Sequence, residues 1–362
     1  MWVRPMIIGR ATRGTRFRPG NWQRHFEGQM AETVNIGEIA NRLSEDIFSF
    51  FRWGVHPRRD QNFPCHNKGH TSKGKKPTSK LTHPTDVVFF YDDPYLDRRV
   101  YLLTDLKSYS KASIGTVKIR AAIESLAMTV ECAQGSKAWR QAYSIPDDEQ
   151  FDIRGLLFVH NHDGKHVNEF QKAIGKTDLS TVPVAPNVYV HFLGPTDINR
   201  LFTITNDIVR LKYQKLVPEK YSFYYPDLVM SRRRGEVSGQ AATIEALTAP
   251  YFILTYEAYE GNPQGFVVYY NRPGASAPEF EYFLDSLSRY QLLDENKQIR
   301  IRMVDENPNP DYLSNFAAAK ERYVRSWGLD PARREILNNI LLERVVAVAT
   351  SYSVSEIGWR ES

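Results

Sequence analysis

One stretch constrains this chain more than any other: "HPTDVVFFYDDPYLDRRVYLLTDLKSYS", running from His83 to Ser110. Two apolar runs, 86–91 and 100–107, flank a turn that contains Asp92, Asp93 and Pro94, which is the pattern of a β-hairpin. Folding the stretch symmetrically about residue 95 or 96 pairs Asp86 with Asp105, Val88 with Leu103 and Phe90 with Tyr101. Residues opposed in this way project from one face with Cβ atoms about 4.5–5.5 Å apart. Lys107 lies two positions beyond Asp105 and shares that face, whereas Leu106 turns to the other. Two carboxylates and an ammonium therefore converge at the open end of the hairpin. Register decides this, because a slip of one residue would separate the two acids.

Carboxylates held this close repel one another, and one pKa rises unless a cation lies between them. Hard oxygen donors with open positions suit Mg²⁺ or Mn²⁺, which retain waters and bind phosphate oxygens. Such an ion polarises a phosphodiester and acidifies water, and an adjacent ammonium stabilises the charge that develops in the transition state. The arrangement points to hydrolysis of a nucleic-acid backbone.

The rest of the chain gives this hairpin a setting. In "NIGEIANRLSEDIFSFFRWG", Ile36, Ile39, Leu43, Ile47 and Phe50 recur at helical spacing and Gly54 supplies a stop. Residues 61–85 hold five lysines and no acid, and their glycine, proline and serine content reads as a loop. After the hairpin come a helix over 113–132, two strands in "IRGLLFVHN" and "NVYVHFLG", and a helix in "TDINRLFTITNDIVRLKY". Residues 216–248 read as a linker. A second α/β block occupies 249–362, with strands in "YFILTYEAY", "GFVVYYN" and "IRIRMVD", helices over 279–293 and 312–327, and a closing helix over 332–348.

At the hairpin the chain resembles the PD-(D/E)XK phosphodiesterase superfamily, whose restriction-endonuclease-like fold sets an acid on one strand and an acid-x-lysine on the next. "HPTDVVFF" and "TDLKSY" place Asp86, Asp105 and Lys107 in the matching positions, with Thr85 inserted between Pro84 and Asp86. The resemblance spans about 33–213 and implies a mixed α/β sheet flanked by helices, followed by a second, smaller α/β domain. It also implies a Mg²⁺-dependent (or Mn²⁺-dependent) deoxyribonuclease. In that reading Asp86 and Asp105 hold the metal, the carbonyl of Leu106 completes its shell, and Lys107 acts on the water. Many members add a glutamate from the first helix, and Glu38 in "IGEIANRL" is the matching residue. A helical wheel, however, sets Glu38 and Glu45 away from the apolar stripe, as for solvated side chains.

The expected division is a basic flexible arm over 1–32, a nuclease domain over 33–215, the linker, and a C-terminal domain for recognition or assembly. The arm carries six arginines, no lysine and one acid over residues 1–30. With net charge +5, the expected partner is nucleic acid, DNA first, gripped at its phosphates by Lys73, Lys75, Lys76 and Lys80. A protein partner or a second copy would dock on the C-terminal domain. Fusions of this kind resemble restriction and antiphage-defence effectors. The rival readings are an RNA-directed nuclease and a noncatalytic nucleic-acid-binding or assembly protein that keeps the fold for docking.

Other motifs are weaker. "GHTSKGKK" mimics a phosphate-binding loop, but Lys76 replaces the Ser/Thr that would meet Mg²⁺ and Pro77 blocks the following helix. Cys65, His66, His70 and His83 lack the paired spacing of a structural zinc site and read as loop residues. The histidines of 160–166 and Arg232 to Arg234 read as turn and linker residues. Two cysteines are too few for a disulfide framework, and no segment approaches the ~18 apolar residues of a membrane span. A cytoplasmic protein is expected.

Overall fold

The computed structural model describes residues 38, 40–72, 78–109, 115–161, 175–226 and 239–348. The arm over 1–32, Lys73, Lys75 and Lys76, Arg232 to Arg234, and His162 and His166 lie outside them. A helix over 40–46 (α1) runs into a 3₁₀ turn, Phe48–Phe51. It is followed by β1 (Gly54–Val55), β2 (Gln61–Pro64), β3 (Thr82–Thr85), β4 (Val87–Asp93) and β5 (Arg98–Tyr109). Next come α2 (Thr116–Gln134), α3 (Lys137–Ala142), β6 (Phe151–Asn161), β7 (Val190–Leu193) and α4 (Pro195–Tyr213). A five-stranded mixed sheet has the order β1-β4-β5-β6-β7. Its β1-β4 and β4-β5 pairs are antiparallel, and its β5-β6 and β6-β7 pairs are parallel.

This sheet is covered on both faces because its strands alternate between two cores. Val87, Phe89, Val100 and Leu102 pack toward α1 and α4, while Val88, Tyr101 and Leu103 pack toward α2. The α2 stripe of Ile119, Ala122, Leu126, Val130 and Ala133 is buried at helical spacing. It approaches β6 closely enough that a Cβ on Gly155 would sit 2.9 Å from Leu126 Cγ, so only glycine fits there without a shift.

Three stretches differ from the sequence reading. Residues 61–85, expected as a loop, contain the antiparallel pair β2-β3, with Phe63 and His83 buried at its centre. The stretch 216–248 contains β8 (Ser222–Phe223) and the short helix α5 (Ile244–Thr248), with Phe223, Tyr225, Ala242, Ile244 and Leu247 buried. The closing helix is shorter than expected. After β9 (Tyr251–Tyr256), β10 (Gly265–Tyr270), α6 (Ala277–Arg289), β11 (Gln298–Met303) and α7 (Tyr312–Ser326), α8 (Pro331–Asn338) stops at Asn338. The chain then adds β12 (Leu341–Arg344) parallel to β11. A strand at 341–344 pairs its backbone with β11, which a helix there could not do. The second sheet has the order β12-β11-β10-β9-β8.

One hydrophobic core joins the two sheets, running from Leu43 and Phe51 through Leu201 and Ile208 to Phe252 and Tyr269. Hydrogen bonds also tie this core: Ala242 N donates to Phe51 O at 3.0 Å, and the Trp53 indole Nε1 donates to Ala242 O at 2.6 Å. The helix α4 carries Asp207, fully buried, into this core. Arg302 of β11 donates to both of its carboxylate oxygens (2.9 and 2.6 Å), and Arg210 Nη2 and Tyr269 Oη donate as well (2.7 and 3.2 Å). Removing one partner of a buried, hydrogen-bonded ion pair leaves a charge uncompensated. Arg302→Leu is therefore expected to lower stability by about 3 kcal/mol in urea unfolding. A loss below about 1 kcal/mol would mean that Arg210 and Tyr269 suffice for Asp207.

Candidate active site

The hairpin reverses through Asp93, whose Oδ1 accepts hydrogen bonds from Tyr95 N (2.8 Å) and Leu96 N (3.1 Å), with Asp97 in the left-handed region (φ 55°). This closure sets a register that pairs Phe90 with Tyr101, Val88 with Leu103 and Val87 with Thr104. Asp86 precedes β4 at a bend, and its own carbonyl accepts from Asp60 N at 2.9 Å. Its side chain bridges to the neighbouring strand, where Oδ2 accepts a hydrogen bond from Leu106 N at 3.1 Å.

Asp86, Asp105 and Lys107 line one small cavity, walled by Pro84, Thr85, Leu103 and Thr104 on the sheet side and by Ser125, Leu126 and Thr129 from α2. All three face α2, as the alternation of β5 requires. Lys107 Nζ lies 2.6 Å from Asp105 Oδ1. Glu38, two residues ahead of α1, is exposed and does not line the cavity. Lys80 reaches the α2 wall of the cavity, with Nζ donating to Ser125 Oγ at 3.1 Å. Sequence reasoning did not single out Ser125 or Thr129. Their only signal was polarity at two positions one turn apart, beside the apolar stripe of α2.

The electrostatics follow from burial and crowding. Burial, then the charge of Asp105, raise the Asp86 carboxyl to about 6, against the smaller opposing effects of the Leu106 N–H and Lys107. Burial alone would lower the Lys107 ammonium, but the charge and hydrogen bond of Asp105, with Asp86 behind them, outweigh it, so its pKa is raised. Burial lowers Lys80, partly offset by Cys65, Cys132 and Asp105. The cavity thus holds more negative charge than it neutralises. The two carboxylates are hard oxygen donors, which fit a divalent ion such as Mg²⁺ or Mn²⁺.

A helix, an antiparallel hairpin, a crossover helix, two further parallel strands and a closing helix define the restriction-endonuclease-like α/β architecture. Residues 30–197 match the family model of the GAPS4 protein PD-(D/E)XK nuclease domain, which supports assigning this segment to the PD-(D/E)XK superfamily, whose members generally use divalent metals. No curated protein and no solved structure matches the chain. No helix among the described residues is long and apolar enough to cross a membrane.

The raised Asp86 carboxyl makes a stability prediction for the metal-free protein. Its folded pKa of about 6 lies above the unfolded value of about 3.9, so the fold binds this proton more tightly than the unfolded chain does. The contribution of Asp86 to stability is therefore greatest below about pH 4 and is lost as pH rises through about 6. Asp86→Asn is expected to stabilise the protein by roughly 1–3 kcal/mol at pH 8, with the gain vanishing near pH 4. Urea unfolding of both proteins across this range checks it, and an equal difference at every pH would contradict it.

Proposed function

We propose that the chain is a metal-dependent endonuclease that hydrolyses DNA phosphodiester bonds. The observation that carries this reading is the convergence of Asp86, Asp105 and Lys107 on one cavity at the open end of the β4-β5 hairpin, within a PD-(D/E)XK nuclease domain. Asp86, Asp105 and the carbonyl of Leu106 would hold Mg²⁺ or Mn²⁺. A bound ion of this kind supplies Lewis acidity toward a phosphoryl oxygen and acidifies an attacking water. Lys107, kept protonated by the two acids, donates to that water or to a non-bridging oxygen as charge accumulates at phosphorus, while the P–O bond to the leaving nucleotide breaks.

Lys80, beside the cavity through Ser125, together with Lys73, Lys75 and Lys76 of the same segment, would hold the flanking phosphates. In this reading the nuclease unit covers 33–215 and the C-terminal unit over 249–362, joined to it by the shared core and by β8 of the 216–248 stretch, would select the substrate or dock a partner. Restriction or antiphage defence in the cytoplasm is the setting such a fusion suits. Glu38, exposed and outside the cavity wall, is left out of the proposed machinery.

Purified protein incubated with plasmid DNA, linear DNA and RNA, with and without Mg²⁺ or Mn²⁺, tests the proposal. Cleavage of DNA is expected only with the ion. Lys107→Ala is expected to lower the cleavage rate by about 100-fold or more while DNA binding persists. Binding without ion-dependent cutting by the native chain would replace the enzyme with a docking protein, and cutting of RNA alone would reassign the substrate.

A further inference from the structure

Behind the acidic cavity, the loop that leaves β2, the strand β3 and the helix α2 bring together four side chains that the proposed hydrolysis does not use. Cys65 follows β2, His70 lies five residues on, His83 sits within β3, and Cys132 projects from α2. Their ligating atoms all lie within 4.8 Å of one another. His83, His70 and Cys132 are buried, and Cys65 is partly so.

Four of the six edges of this cluster have the dimensions of a coordination tetrahedron, and the two between His83 and the cysteines are within 4.8 Å. With Zn–S near 2.3 Å and Zn–N near 2.05 Å, a regular tetrahedron has edges of about 3.8 Å between sulfurs, about 3.5 Å between sulfur and nitrogen, and about 3.3 Å between nitrogens. The structure has Cys65 Sγ to Cys132 Sγ at 3.7 Å. His70 Nδ1 lies 3.5 Å from Cys65 Sγ and 3.4 Å from Cys132 Sγ, and 3.4 Å from His83 Nε2.

The outer hydrogen bonds fix which nitrogen of each ring faces inward. Thr129 Oγ1 donates to Ser125 O at 2.9 Å, so at 3.3 Å from His83 Nδ1 it is left to accept that ring's N–H. His83 Nε2 is then a bare lone pair. His70 Nε2 stands 3.2 Å from the Glu131 carboxylate, which can only accept, so the proton is on Nε2 and Nδ1 is likewise bare. Two lone pairs thus face each other at 3.4 Å with two thiols beside them; a thiol S–H can reach only one nitrogen at a time, whereas a single cation serves all four donors together. A carboxylate or hydroxyl behind each ligating imidazole is also how protein zinc sites orient their histidines. A Cys65–Cys132 disulfide would need the sulfurs near 2.05 Å and would leave the facing imidazoles unrelieved.

We propose that Cys65, His70, His83 and Cys132 bind one Zn²⁺ ion in a closed, tetrahedral, structural site. Two sulfurs and two imidazoles are a soft sulfur and nitrogen set that selects zinc over Mg²⁺ or Mn²⁺, so this site is chemically separate from the acidic cavity. Its ligands enclose the segment 71–82, which contains Lys73, Lys75, Lys76 and Lys80. The ion fixes both ends of that segment to α2, and His83 is only three residues before Asp86. Zinc therefore anchors the lysine segment and the entrance to β4 together.

The test is elemental analysis of the full chain, purified under reducing conditions from zinc-supplemented cells and washed with a weak chelator. One zinc per chain is expected, and Co²⁺ exchanged into the native protein should give the visible bands of a tetrahedral thiolate site, a readout that needs no variant. Cys132→Ser should lose the ion, and Glu131→Gln should bind it about 10–100-fold more weakly. Asp86→Asn should keep full zinc, which separates this site from the proposed catalytic one. Absence of zinc from the native protein, full zinc in Cys132→Ser, or a Cys65–Cys132 disulfide in the protein as isolated would each overturn the proposal.

Discussion

The antiparallel register of β4 on β5 is the constraint on which the rest of the structure depends. Side chains alternate across a strand, so pairing Val88 with Leu103 decides at once which residues enter each core and which reach the cavity. With this register, Val87, Phe89 and Leu102 meet α1 and α4, while Asp86, Asp105 and Lys107 meet α2. A slip by one residue would bury the charged set under α4 and turn Leu102 and Phe89 toward the cavity. The apolar cost of such a slip, at about 1.5–3 kcal/mol for each large side chain misplaced, far exceeds the repulsion it would relieve between two carboxylates. Packing thus compels an arrangement that electrostatics alone would oppose, which is how a cavity comes to hold excess negative charge.

A second consequence concerns the junction between the sheets. The helix α4 closes the first sheet but is buried over much of its circumference, with Ile198, Leu201, Ile204, Ile208 and Leu211 in the shared core. Asp207 on the same helix is held by Arg302 and Tyr269 from the second sheet. Directional, charge-assisted bonds specify orientation more sharply than apolar contact does. The second sheet is therefore fixed in azimuth about α4 as well as pressed against it, and a substrate or partner engaging that sheet would act on an element directly continuous with β7.

What could be read from the sequence divides along physical lines. The hairpin was legible because its alternation is strict, its turn is marked by Asp93 and Pro94, and both strands are long. The helices α2 and α4 were legible from their apolar stripes. The pair β2-β3 was not, since four-residue strands that contain Pro64 and Pro84 within a lysine-rich stretch carry loop chemistry. The ending was misread because the apolar spacing at 337–348 suits a helix as well as a short strand, and only pairing with β11 decides between them. Asp86, Asp105 and Lys107 could be brought together on paper because a hairpin is local. Cys132 could not be joined to Cys65 and His83, because they meet only when α2 crosses over β3, some 67 residues away in sequence for the cysteine pair.

That crossing gives α2 a part no single motif announces. Ser125, Thr129 and Cys132 stand at i, i+4 and i+7 and so share one stripe of the helix. Ser125 and Thr129 wall the acidic cavity, Ser125 receives Lys80, Thr129 holds His83, and Cys132 completes the sulfur and imidazole cluster. The same stripe therefore touches the acids, the lysine segment and the buried cluster. Since Leu126 is locked against Gly155 of β6, this stripe cannot rotate without opening the sheet interface. The geometry of the acidic cavity is thereby tied, through one helix face, to whatever occupies the cluster behind it.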